Sequence, residues 1–328
     1  MALIYSVFGE KERALEKLNE ALQLVRTLEY KPEEAETLNN IGLVYYDWSN
    51  AQQALKYYKQ ALSLWRDLKD QQRGEATTLN NIGLAYSNLG KKQQALEHYQ
   101  QALPLTRAVE DKRGEAYTLN NIGAIYSDRG EKQQALDYYE RVLSLMRDTG
   151  DRRGEAVSLN NIGYIYSDLE NKQQALEKFN EALEIIRDLG DPANEASTLN
   201  NIGSIYADWR EKQKALEHFN KALELRRAAK DPAGEALSLG NIGTVYILFG
   251  ERQLGLVKLE EALKLARAVR DPSLVAQALN NIAGIYNDWG EKEQALNYYN
   301  QALQLRLDLE DKSGAASTLT SIGALYND

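Results

Sequence analysis

Cysteine is absent from the 328 residues. That removes disulfides, thiolate metal sites and cysteine nucleophiles together, and it suits a reducing, cytoplasmic setting. No apolar run approaches the ~18 residues that a membrane span needs. The opening stretch MALIYSVFGE has neither a basic n-region nor an apolar run long enough for a signal peptide. Basic residues are in deficit: 39 Lys and Arg face 48 Asp and Glu, for a net charge of -9. That balance argues against a phosphate backbone as partner. Neither nucleic acid nor membrane is therefore expected to bind. No strand is predicted, so no glycine-rich loop can follow one to cradle a phosphate. No acid/base pair, nucleophile or metal cluster stands out. The expectation is a chain that is no enzyme, with no catalytic residue, metal or cofactor.

What is present is a repeat. Leu38-Asn39-Asn40-Ile41-Gly42 is followed three residues later by Tyr45. The pattern returns at Leu79 to Tyr86, Leu119 to Tyr126, Leu159 to Tyr166 and Leu199 to Tyr206, and in altered form at Leu239, Leu279 and Leu319. A fixed period of about 40 residues is the mark of a repeat array, which grows by adding units and not by thickening one core. Each unit is numbered here from a recurring alanine, with Ala35 as position 1. The array then reads as a partial unit at 1–34, seven units at 35–75, 76–115, 116–155, 156–195, 196–235, 236–275 and 276–315, and a partial unit at 316–328. Residues 71–72 hold the one extra loop residue. Tyr5 and Ala14 fall at the Tyr45 and Ala54 positions, so the first residues fit the same frame. Because both ends stop within a unit, the chain reads as a piece of a longer protein.

Positions 1, 4, 7, 8 and 11 share one stripe at 100° per residue and predict the buried face of a first helix. Asp-Pro pairs at 191–192, 231–232 and 271–272 read as an N-cap followed by proline at the first helical position. Gly90, Gly130, Gly250 and Gly290, with Asn50 in their stead, read as its end. A second helix follows, such as Gln93 to Val109, with Ala95, Tyr99, Ala102 and Leu103 on one face. Pro104 lies inside it and should kink it. Arginines 66, 107, 147, 187, 227 and 267 recur near the ends of second helices. There they complement the dipole, within reach of the glutamate that opens the next helix. The glycine at position 8 is a packing glycine, and the tyrosines are mostly core. His98 and His218 occupy one position in units three steps apart. At ~8–10 Å between neighbouring helices they cannot share a metal.

Leu38, Ile41, Gly42, Tyr45, Ala54 and Tyr58 resemble the tetratricopeptide repeat pattern W-x2-L-G-x2-Y…A-x3-F…P, with leucine for the tryptophan. The closing proline is replaced by the recurring arginine, and the unit is 40 residues long instead of 34. Extended units of this kind look like those of kinesin light chain, the LGN/Pins spindle-orientation adaptors and bacterial signalling arrays, some joined to a CHAT peptidase domain. The resemblance implies an all-α solenoid, a right-handed superhelix of antiparallel helix pairs with about sixteen helices. It also implies a non-enzymatic scaffold that binds a protein or peptide partner in a concave groove lined by the first helices. The alternative it leaves open is a sensor or autoregulatory arm of a larger signalling enzyme.

Positions 2, 5, 6, 9, 12 and 13 lie opposite the buried stripe and are expected to face that groove. Asparagine is a poor mid-helix residue, yet positions 5 and 6 are Asn-Asn in six copies. A primary amide matches a peptide N–H and C=O. Resemblance to kinesin light chain-like arrays gives this role to position 6: Asn40, Asn81, Asn121, Asn161, Asn201, Asn241 and Asn281. The competing reading is a structural ladder in which position 6 of one helix bonds position 5 of the next. Position 13 supplies an acidic row, including Asp128, Asp168 and Asp208, which could draw basic side chains or contact the neighbouring helix. Unit 236–275 departs from its siblings with Leu237, Gly240, Ile247 and Leu248. The three apolar side chains read as a ligand anchor or as a diverged unit's packing. Head-to-tail self-association is a further expectation, with Leu319, Ile322, Gly323 and Tyr326 at one end meeting Leu15, Leu18 and Leu22 at the other.

Overall fold

The computed structural model describes residues 11–68 and 71–327. Tyr5, placed in the repeat frame above, and the last residue of the partial unit at 316–328 lie outside the described residues. Sixteen helices fill the described chain, and no strand occurs among the described residues. They form two compact units, Met1–Leu169 and Glu170–Asp328. The first holds α1 (Lys11–Thr27), α2 (Lys31–Asp47), α3 (Ala51–Asp67), α4 (Gln72–Asn88), α5 (Lys92–Ala108), α6 (Lys112–Asp128), α7 (Lys132–Thr149) and α8 (Arg152–Asp168). The second holds α9 (Lys172–Asp188), α10 (Pro192–Asp208), α11 (Lys212–Ala228), α12 (Pro232–Leu248), α13 (Arg252–Ala268), α14 (Pro272–Asp288), α15 (Lys292–Asp308) and α16 (Lys312–Asn327). Even-numbered helices are the first helices of the repeats, and odd-numbered ones the second.

Local chemistry sets the helix ends. Asp191, Asp231 and Asp271 cap their helices by accepting from the main-chain N–H of Asn194, Gly234 and Leu274. Asp111 and Asp151 do the same without a following proline. Gly90, Gly130, Gly250 and Gly290 stop first helices at φ of 70 to 80°, where glycine carries no Cβ penalty. Asn50 does not share that role. Ser49 takes the left-handed position at φ 58°, while Asn50 is the N-cap of α3 and accepts from Gln53 N–H. Of residues 71–72, where the sequence places the extra loop residue, Gln71 is the N-cap of α4 and Gln72 its first residue; elsewhere two or three residues separate successive helices. Links this short turn each helix back along its predecessor. Helix α5 runs through Pro104 unbroken, and the proline is exposed. The main-chain bond lost there is on the solvent side.

Packing within a pair is set at position 8. A Cβ built on Gly42 would stand 2.5 Å from the Tyr58 ring, on Gly123 2.9 Å from Tyr139, and on Gly203 2.8 Å from Phe219. The ring of each second helix therefore lies directly on the backbone of the first. Tyr58, Tyr99, Phe179 and Phe219 are among the largest fully buried side chains. Burial pushes the Tyr139 phenol up to about 12, so it stays neutral. The position-11 tyrosines are less buried than expected. Tyr86 is buried, but Tyr45, Tyr126 and Tyr286 are half-exposed. They stack on second-helix rings instead, at 5.3 to 5.4 Å between centroids for Tyr45–Tyr57, Tyr126–Tyr138 and Tyr286–Tyr298.

Successive pairs are clamped by the recurring arginine. Arg26–Glu34, Arg107–Glu115, Arg147–Glu155, Arg187–Glu195 and Arg227–Glu235 span 2.6 to 2.9 Å. Most are half in solvent and stabilise little. Glu155 is the exception: it is buried and also takes Arg152 at 2.6 Å. Burial alone would raise its carboxyl, but the two guanidiniums outweigh that and hold it below the ordinary 4.5. At the chain's end, Leu319 and Tyr326 of α16 are exposed. Leu18 and Leu22 are not available to them, being buried with Leu38 and Ile41 of α2 in one core cluster.

Two measurements check this account. Pro104→Ala restores an N–H and relieves the ring, and should raise the urea midpoint, with a gain of about 1–3 kcal/mol. Glu155 has a depressed folded pKa, so its contribution is present above pH 4.5 and lost as pH falls through the folded value. Glu155→Gln should thus lower thermal stability at neutral pH, and the gap to the parent should close as the pH is taken well below 4.5.

Candidate functional site

First helices meet each other in order, α2 with α4 and α4 with α6 in one unit, and α10 with α12, α12 with α14 and α14 with α16 in the other. Their shared face carries the asparagines. Position 5 is the structural member. Asn80 Nδ2 donates to Thr118 Oγ1 (2.9 Å), Asn200 Nδ2 to Ser238 Oγ (3.3 Å), and Asn39 and Asn280 accept from Thr78 (3.2 Å) and Thr318 (3.1 Å). The partner in each case is a buried hydroxyl at position 3 of the next first helix. Position 6 also reaches position 5: Asn81 Nδ2 donates to Asn39 Oδ1 (3.1 Å) and Asn161 Nδ2 to Asn120 Oδ1 (3.0 Å). The ladder anticipated from sequence exists, but it runs the other way. The later helix offers position 6 to position 5 of the earlier one. The position-3 hydroxyl was not foreseen. A threonine or serine recurring inside an otherwise apolar stripe was the signal for it.

Position 6 is half-exposed in all seven complete repeats, at Asn40, Asn81, Asn121, Asn161, Asn201, Asn241 and Asn281. A primary amide has two donors and two acceptor lone pairs. One ladder bond therefore leaves capacity on the open side.

The acidic row is paired along its length. Asp128 lies 3.2 Å from Lys92, Asp208 3.0 Å from Lys172 and Asp288 2.8 Å from Arg252, and Asp168 pairs with Lys132. Each cation opens the second helix of the preceding repeat. The row is thus one of alternating charge. Where Leu248 replaces the aspartate, Lys212 pairs with Glu251 and lies 5.2 Å over the Tyr246 ring. His98 and His218 each bond a carbonyl four residues back, of Gln94 and Lys214. Among the described residues no group of His, Cys, Asp and Glu is arranged to hold a metal.

The apolar residues of unit 236–275 do not converge. Leu237 and Leu248 are eleven residues apart on one straight helix, about 16 Å along its axis. Ile247 packs into the core cluster of Leu256, Leu259 and Leu279. A Cβ on Gly255 would stand 2.8 Å from Ile247 Cγ1, so glycine in place of the usual alanine makes room for it. Leu248 is 37% exposed. The polar losses are coupled as well. Gly240 removes the position-5 amide, and the next helix has Ala278 where its siblings have a hydroxyl. Both line a small apolar cavity of about 10 Å³ with Leu237. Asn281 turns instead to Thr244 Oγ1, at 3.4 Å.

A site that sequence reasoning missed lies in the first unit. Between α6 and α8 is a pocket of about 360 Å³ lined by Tyr117, Val157, Val142 and Met146, with Arg113 and Arg153 beside them. Tyr117 and Val157 both stand at position 2 and are 46% and 45% exposed. Two successive apolar residues at that position were the available clue. The corresponding space between α2 and α4 has the same volume but is lined by Glu36, Gln71 and Thr77 above Trp65.

Helix pairs stacked through a hydrogen-bonded row on their first helices define a helical-repeat solenoid. The sequence profile described as tetratricopeptide repeat matches residues 1–67, 49–108, 74–148, 115–188, 154–228 and 234–308, and the chain belongs to that family. A search of curated proteins returns no match. Among solved structures, the apo quorum sensor NprR from B. thuringiensis is similar at TM-score 0.71 and 20% identity, over 93% of this chain and 86% of that one. A Rap protein complexed with Competence and Sporulation Factor is similar at 0.62 and 18%, over 90% and 86%. A STAND signal-transduction ATPase with a tetratricopeptide repeat sensor, from Pyrococcus horikoshii, is similar at 0.66 and 16%, over 96% of this chain and 47% of that one. At these identities the likeness is one of fold.

The ladder makes a double-mutant prediction. Thr118→Val strands the buried Asn80 amide and should cost about 1–3 kcal/mol in urea unfolding. Asn80→Ala placed on top of it should cost clearly less than Asn80→Ala alone, since the partner is already gone.

Proposed function

We propose that the chain is a non-catalytic scaffold that binds an extended peptide or partner segment along the asparagine face of its first helices. The observation that carries this reading is the half-exposed asparagine at position 6 in every complete repeat, oriented at Asn81 and Asn161 by a bond to position 5. Such amides can pair with the N–H and C=O of any extended main chain. They give affinity without sequence preference, so selectivity must come from side chains nearby. The scattered Leu237, Ile247 and Leu248 are poor candidates for one anchor, and the alternating charge of the aspartate row favours no ligand sign. A similar arrangement of helices in a Rap protein solved with a bound factor supports the reading.

A second reading has one observation in its favour. In the Pyrococcus horikoshii STAND ATPase the similar repeats are described as a sensor. By that analogy the chain would hold an effector domain of its own protein as its partner.

Peptide display on the intact chain tests the proposal. A linear motif should be enriched, and the winning peptide should lose about 2- to 10-fold in affinity in Asn201→Ala and again in Asn241→Ala, at ~0.5–1.5 kcal/mol per hydrogen bond. Helical circular dichroism should be unchanged. Selection that yields no motif, or a motif indifferent to both amides, counts against it.

A further inference from the structure

The pocket between α6 and α8 differs from its counterparts in a way that defines a ligand. Two positions build such a space: position 2 of successive first helices forms its walls, and position 31 of the intervening second helix its floor. In the second unit position 31 is Arg226, and it fills the space. Its guanidinium bonds Asp231 at 2.8 Å and Ser197 Oγ at 2.6 Å, and its side chain is 13% exposed. Arg306 closes the next such space but one, bonding Thr318 Oγ1 at 2.7 Å. In the first unit the floor is Trp65 under polar walls, the hydroxyl-bearing Thr106, or Met146 under Tyr117 and Val157. Met146 is 6% exposed. It lies so close beneath Gly154 that a Cβ there would collide with its sulfur. A thioether floor adapts to the shape of what enters. The volume, about 360 Å³, is at the small end of ligand pockets and matches a bulky side chain better than a whole cofactor.

The rim decides the rest. The chain carries a net charge of -9, yet beside this pocket stand two arginines, Arg113 and Arg153. The one carboxylate among the lining residues, Asp151, is held as the N-cap of α8 by Gly154 N–H at 2.9 Å. That bond turns the carboxylate toward the helix and away from the pocket's open side. Arg113 is exposed, and a planar guanidinium is well suited to a ligand carboxylate.

We propose that this pocket is the selectivity site of the scaffold, taking a peptide segment in which a bulky apolar side chain lies next to a carboxylate. The proposal rests on the peptide-binding reading above, and its test does not depend on that reading. The probe is 1-anilinonaphthalene-8-sulfonate, which joins an aromatic body to an anion. Titrated into the intact chain, it should show one saturable fluorescent site. Val157→Asn and Tyr117→Ala, both at half-exposed positions, should weaken it at least tenfold with helical content unchanged. Arg113→Glu should weaken it several-fold. Leu254→Asn, at an exposed apolar residue of the other unit, should leave it untouched. Binding that survives both pocket variants, or falls equally with Leu254→Asn, overturns the site. Binding that ignores Arg113→Glu overturns its anionic half. A failed peptide selection with this dye pattern intact would count against the peptide reading and not against the pocket.

Discussion

The contact on which the rest depends is an aromatic ring lying on bare backbone. At position 8 the first helix has no side chain, and the ring of the second helix occupies that space. This fixes how closely the two helices of a pair approach, and the aromatic side chain buries a large apolar area in doing so. With the pair spacing set, position 5 of one first helix stands opposite position 3 of the next within hydrogen-bonding distance. The polar row is therefore downstream of an apolar contact. Two variants show what the contact tolerates. In unit 236–275 Leu259 replaces the ring on Gly243. In unit 276–315 Ala283 replaces the glycine, and Tyr299 above it is still 5% exposed.

The buried hydroxyls and the Nδ2 groups of Asn80 and Asn200 satisfy one another, while the Oδ1 atoms of Asn80 and Asn200 are buried without a partner. The hydroxyl of Thr118 donates to Gly114 C=O at 2.7 Å while accepting from Asn80. The outward side of the row keeps its amide at position 6 for solvent or ligand. One dipeptide, Asn-Asn, thus does two tasks separated by the 100° turn between neighbouring residues. The first residue points into the joint between repeats and the second onto its edge.

Most of the scaffold was legible from the chain itself. Periodicity gave the helices, Asp-Pro gave their starts, and the arginine-to-glutamate spacing gave the clamps that the structure contains. What was missed shares a physical cause. The Asn50 assignment failed because the left-handed residue is one earlier, at Ser49, and an asparagine is equally at home as an N-cap. The direction of the amide ladder needed the offset between adjacent first helices, which no single helix encodes. The apolar trio of unit 236–275 shared a face on a helical projection, but projection discards the distance along the axis. The Tyr117–Val157 pocket is made of residues from three helices, and its floor, Met146, stands where the neighbouring repeats have Thr106 and Ile186.

The joint between α12 and α14 has a meaning beyond its own cavity. Gly240 and Ala278 belong to different repeats, yet the amide and the hydroxyl they replace are partners at four other joints of the row. Losing one without the other would strand a buried polar group. The coupling at this joint crosses the boundary of the 40-residue repeat. The unit that has to match is the seam: the back of one repeat together with the front of its successor. A chimera made by exchanging whole repeats would mismatch two seams at once, whereas one cut between positions 3 and 5 of a first helix would carry each amide–hydroxyl pair across together.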